Sequence, residues 1–266
     1  VRKLFLAVVV TAIAVAGFSV ISQAGTGKGG TSWTFALTPN KANVPAGTDS
    51  LIEPAIKDDK GTADPDDDEY AETKKTTIHF PAGTAFDTSV PPRCTAAGGE
   101  VVSTNGGACK KAQIGSGDAL SRIGSLNTAA LLKAYNRKKG ILFLVIACNP
   151  GTGPGQANPT CTPLEGGTFA LEGTLGGTKA KRTLIVPTPQ TLLDGNILIT
   201  KFHLKTCNSP FGKKCKKVAT INGKRVVRGY TLTPPTCGGK WKSKAVIEYD
   251  GGVASQTIPA TQICRK

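Results

Sequence analysis

Along much of this chain apolar and polar residues alternate in short runs, and Gly, Pro or Asn ends each run before it grows long. A two-residue period sends alternate side chains to opposite faces of an extended strand. The runs at 33–37, 76–80, 140–148, 168–173, 183–186, 196–204 and 245–249 therefore predict strands, rich as they are in β-branched and apolar residues. Residues 218–221 and 224–227 flank Asn222-Gly223, a pair suited to a type I′ turn whose two central residues need positive φ. Asp250-Gly251 offers a similar turn. One stretch is ambiguous. Leu120, Ile123, Leu131 and Tyr135, behind a cap at Ser116 or Asp118, fall at helical spacing, but Gly124 weakens a helix, and 128–135 followed by a turn at 136–140 reads as half of a hairpin. We take the strand reading. The resulting expectation is an all-β, antiparallel, sandwich-like fold, in one large or two closely packed subdomains, punctuated by 32 glycines and 17 prolines. A subdivision is expected near 177–190.

The first 24 residues break this pattern. Arg2 and Lys3 precede an apolar run at 4–21, and Ser22 and Ala24 supply small residues for processing, so 1–24 is expected to be a signal peptide cleaved after Ala24. An uncleaved membrane anchor is the alternative, because the run is close to the length that spans a bilayer. Val1, in a chain without methionine, agrees with a GTG start codon and a bacterial gene. Residues 25–32 (GTGKGGTS) are expected to be a Gly-rich spacer, and 33–266 a secreted β-rich domain.

Eight cysteines follow this leader: Cys94, Cys109, Cys148, Cys161, Cys207, Cys215, Cys237 and Cys264. An even number in an exported chain implies disulfides, since thiols oxidise outside the cytosol. Sequence alone leaves 105 pairings open for eight cysteines. Proximity along the chain proposes 94 with 109, 148 with 161, 207 with 215, and 237 with 264. Zinc binding and redox chemistry are disfavoured, because the closest pair, Cys207 and Cys215, is too widely spaced for a Cys-x-x-Cys motif.

Several segments carry a family resemblance. Residues 78–84 (IHFPAGT), Cys94, Cys109, 112–118 (AQIGSGD), 231–237 (TLTPPTC), Gly239, Trp241, 249–251 (YDG) and Cys264 resemble a family of uncharacterised, secreted actinobacterial proteins. The resemblance runs from about residue 76 to the C-terminus and is loose in its middle. It implies the 94–109 and 237–264 bridges, and it implies no reaction. The acidic stretch before Thr76 and the two central cysteine pairs depart from the family pattern.

Charge is unevenly distributed. Half of the 18 acidic residues lie in 53–72, with Asp64, Asp66, Asp67, Asp68 and Glu69 as candidate calcium ligands. Their spacing matches no EF-hand, and a solvated acidic loop is the plainer reading; no other cofactor is expected. From residue 195 to 247 there are Lys and Arg but no Asp or Glu. Lys213, Lys214, Lys216, Lys217, Lys224, Arg225 and Arg228 form a candidate anionic-ligand patch. Lysines also keep exported proteins soluble, which is the plainer account of them. An anionic envelope polymer or a protein is the expected partner. Specific nucleic-acid binding is not expected, since between Cys207 and Lys244 only Phe211, Tyr230 and Trp241 could stack on bases. A membrane is a partner only if the leader stays attached.

Catalytic signals are weak. His79 and His203 are the only histidines, each inside a strand-like run, and Gly115-Ser116-Gly117 is not a nucleophile elbow. The Gly-rich segment 151–155 lacks the Lys-Ser/Thr of a phosphate loop, and Pro154 removes an amide donor. The expected function is a non-catalytic extracellular binding module, with an extracellular hydrolase as the alternative.

Overall fold

A computed structural model describes residues 22–27, 30–55, 57–58, 69–123, 126–178, 180–189, 191–192 and 195–266. The first half of the chain forms β1 (Ser22–Gln23), β2 (Gly25–Thr26), β3 (Ser32–Thr38), β4 (Pro45–Glu53), β5 (Lys57–Asp58), β6 (Glu69–Tyr70), β7 (Thr73–His79), β8 (Ala85–Phe86), the one-and-a-half-turn helix α1 (Gly98–Ser103), β9 (Gln113–Ile123) and β10 (Leu126–Arg137). The second half forms β11 (Gly140–Cys148), β12 (Pro163–Thr178), β13 (Lys181–Pro187), β14 (Thr191–Leu192), β15 (Gly195–Thr206), β16 (Lys216–Ile221), β17 (Lys224–Gly229), β18 (Thr231–Leu232), β19 (Lys240–Tyr249) and β20 (Gln256–Ile263). The all-β, antiparallel, disulfide-stapled expectation holds. The ambiguous stretch is two strands, with β10 continuing through a two-residue turn into β11. The β13 strand, inside the expected 177–190 subdivision, is hydrogen-bonded on both sides, to β12 and to β7.

One sheet curls until its edges almost meet. Its order runs β20-β19-β7-β13-β12-β11-β10-β9-β15-β4, with β3 on the far side of β4. Between β3 and β20 lies the N-terminal segment, β1 pairing with β20 and β2 with β3. Further along the seam, Leu37 N–H donates to Gln262 Oε1 at 2.8 Å and Gln262 Nε2 donates to the Leu37 carbonyl at 2.8 Å. A side-chain amide here reproduces the two bonds that a backbone partner would make. Arg265 N–H then donates to the Asn40 carbonyl at 2.7 Å. The product is a nearly closed, barrel-like sheet.

Two packed layers explain the strand patterns. The lumen takes one face of each wall strand: Trp33, Phe35 and Leu37 of β3, Ile78 of β7, Phe143 of β11, Leu204 of β15, Ile247 of β19 and Ile258 of β20. Outside β10 and β11, α1 and its flanking loops form a second small core from Cys94, Val101, Cys109, Tyr135, Leu142 and Leu144. Buried on both faces, β11 reads as the uninterrupted apolar run ILFLVIAC rather than an alternation. Four disulfides join Cys94 to Cys109, Cys148 to Cys161, Cys207 to Cys215 and Cys237 to Cys264. No helix among the described residues is long and apolar enough to cross a membrane.

Antiparallel order sorts the connections into two groups. One end of the barrel carries the connections at 39–44, 80–84, 138–139 and 207–230 together with the C-terminus; the other carries the C-terminal end of β4, the start of β7 and the connections at 149–162 and 250–255. We call these the first and second ends.

Candidate anion-binding surface

The first end is where the lysine-rich segment is displayed. Cys207 leaves β15 with φ 57°, and its bond to Cys215 closes a short loop that carries Lys213 and Lys214. Residues 216–229 then form a hairpin whose two strands pair only with each other, from Lys216↔Gly229 to Ile221↔Lys224. Asn222 and Gly223 at its tip have φ 49° and 73°, the positive values the turn demands. Lys213, Lys214, Lys216, Lys217, Lys224 and Arg225 are exposed. Between these charges, Val218, Val226 and Val227 are 50%, 39% and 47% exposed. An isolated two-stranded ribbon is marginally stable, so this arm depends on its base for order.

The base is anchored in three ways. Tyr230 is fully buried and ends a chain of ring contacts, Trp33 to Phe35 to Phe80 to Phe86 to Tyr230, with centroids 4.7–5.8 Å apart. Cys215 is tied to Cys207. Arg228 donates through Nε and Nη2 to Asp87 Oδ2, and through Nη2 to Ser89 Oγ at 2.9 Å. Arg228 thus holds the arm in place, a structural duty that separates it from the six exposed cations with which the sequence grouped it. The loop bearing Asp87 is itself pinned by Asn136, whose Nδ2 donates to the carbonyls of Thr88, Pro91 and Pro92 at 3.0–3.1 Å. Burial raises the Asp87 carboxyl, but the hydrogen bonds from Ser89 and Arg228 outweigh it and leave the group below its ordinary value.

Further cations crowd the same end. Lys138 and Lys139 form the β10–β11 turn, and Lys181 begins β13. On β19 the exposure pattern alternates, so Lys240, Lys242 and Lys244 project outward while Trp241, Ser243 and Ala245 are buried. This i, i+2 spacing was legible as one face of a strand, but composition alone did not single it out. Beside these lysines is a cavity of about 520 Å³ lined by His79, Phe80, Lys181, Arg182, Lys242 and Lys244, with no carboxylate among the described residues that line it. Asp58 and Glu69 are register partners in the short β5–β6 pair. Asp64, Asp66, Asp67 and Asp68 lie outside the described residues.

The two histidines have different surroundings. His203 Nε2 lies 2.9 Å from Asp49 Oδ1, and its Nδ1 lies 3.3 Å from Asp118 Oδ1. Lys205 and Lys201 approach the outer oxygens of the same two carboxylates at 3.5 and 3.0 Å. Each ring nitrogen of His203 therefore faces a carboxylate oxygen. Ser116 lies opposite Lys133 and Lys205, two rungs from His203, and makes no nucleophile–base pair with it. His79 sits between Thr183 and Lys244. Comparison with protein-family models, curated proteins and solved structures finds no match to this chain.

Proposed function

We propose that the protein is an exported, non-catalytic binding module whose cationic first end holds an anionic extracellular or envelope polymer. One observation carries this reading: Lys213, Lys214, Lys216, Lys217, Lys224 and Arg225 stand exposed on and beneath a projecting arm, and among the described residues the arm and its loop contain no acidic side chain. Self-repulsion between such charges is unfavourable in the free protein and is relieved when a polyanion neutralises them. The four disulfides support a compartment outside the reducing cytosol, and the resemblance to secreted actinobacterial proteins agrees with it. Burial of Tyr230 and Trp241 removes two of the three aromatic rings that could stack on bases, which favours a polymer recognised by charge over nucleic-acid sequence.

The test is binding to teichoic acid and to heparin across a salt series. Affinity is expected to fall steeply with salt, and Lys216→Ala with Lys217→Ala is expected to flatten the log–log slope by about one unit for each contact removed. Binding that ignores both salt and charge removal would falsify the proposal.

A further inference from the structure

The cationic groove beside β19 has the features of a site for one oxyanion. Thr183, His79 and Lys244 form a cross-strand row over β13, β7 and β19. Lys242 projects from the same face of β19 as Lys244, about 7 Å along the strand. Lys181 and Arg182 close the opposite wall, and Phe80 contributes apolar surface. Arg182 Nη1 donates to the Gly177 carbonyl at 3.1 Å, while its buried Nε has no protein partner. The sequences of β13 and β20 contain no acidic residue, and the carboxylate that β19 carries, Glu248, is bound by Lys75 at 2.8 Å. Among the described residues no ion pair neutralises Lys181, Lys242 or Lys244.

We propose that this groove binds a single phosphate or sulfate group, held by Lys181, Arg182, Lys242 and Lys244, with His79 taking a proton from solvent as the anion enters. This rests on the polymer-binding reading and specifies the group recognised. Burial, and after it the Lys244 ammonium, keeps the His79 imidazole below its ordinary range in the free protein. An oxyanion beside the ring reverses the local field and favours the charged imidazolium. By linkage, the anion then binds more tightly below the His79 midpoint than above it.

The experiment is an NMR titration of the His79 ring in the full chain, without anion and with millimolar inorganic pyrophosphate or a sulfated heparin disaccharide. Either anion is expected to raise the midpoint by about one unit, equivalent to about tenfold tighter binding to the protonated form. A response to pyrophosphate alone assigns the groove to phosphate groups; a response to both assigns it to oxyanion charge. Lys181→Ala with Lys242→Ala is expected to abolish the shift, whereas Lys216→Ala with Lys217→Ala leaves it intact. A midpoint unmoved by either anion overturns the groove, even where polymer still binds through the arm. A shift that persists while polymer binding is absent sinks the polymer reading and leaves the oxyanion site standing.

Discussion

Arg228 shows how a residue's neighbours decide its role. In sequence it is one more cation in a basic run; in the fold its guanidinium joins Asp87 and Ser89 and fixes the arm's departure angle. Arg228→Ala is expected to destabilise the protein by only about 1 kcal/mol, because the pair is partly exposed and water screens it. Its clearer effect is local, with faster amide hydrogen exchange across 216–229 and little change in β10 and β11; uniform exchange in wild type and variant would contradict this. Asp87 gives a pH dependence with a definite sign. Its carboxyl lies below the ordinary 3.8 when folded, so its contribution is complete above the unfolded value and is lost as pH falls through the folded one. Asp87→Asn is therefore expected to flatten the acid limb of a stability–pH curve, which thermal melts between neutral pH and pH about 3 would record.

At the scale of elements, alternation and turn chemistry located many of the strands, and for definable reasons. Local signals sufficed where the partner was also local, as in the Asn222-Gly223 hairpin and the β10–β11 pair. They failed for β4, whose run PAGTDSLIE includes Thr48, Asp49 and Ser50 and reads as polar until it is placed between β3 and β15. Thr48 is buried there because its hydroxyl meets that of Thr206 at 2.7 Å. The helix α1 has no side-chain cap and only six residues, so its short turn depends on packing against β11 and β12 rather than on propensity. Disulfides act on elements too. Cys237–Cys264 closes a separation of 27 residues and Cys207–Cys215 one of 8, so the chain-entropy model assigns them about 3.5 and about 2.5 kcal/mol. Replacing Cys237 and Cys264 by Ser is expected to lower the melting temperature more than replacing Cys207 and Cys215, while the latter change is expected to weaken polymer binding by loosening the arm. Equal binding by the two double variants would refute the link between that bridge and the arm.

For the molecule as a whole, closure of the sheet is the property on which the surface depends. The seam between β3 and β20 is held by Gln262, 2% exposed, whose amide satisfies both polar groups of Leu37. Gln262→Ala is expected to cost about 2–4 kcal/mol, since it leaves a buried donor and a buried acceptor unpaired, and a denaturant titration measures this directly. A loss below about 0.5 kcal/mol would show that water or a shifted strand replaces the amide. Closure also brings the connections of one end together, and so gathers Lys138, Lys181, Lys216 and Lys240 from remote parts of the chain onto a common surface. The sequence by itself determined the all-β class, the disulfide-bearing character and the cationic bias of residues 195–247, because these follow from residue type and from spacing over a few positions. Only the tertiary structure decided that the sheet curls into a barrel, that Arg228 serves as an anchor, that His203 is spent between two carboxylates, and that His79 shares a groove with Lys181 and Lys244. Those outcomes depend on strand order and register, which are set by long-range packing of side chains that no local pattern encodes.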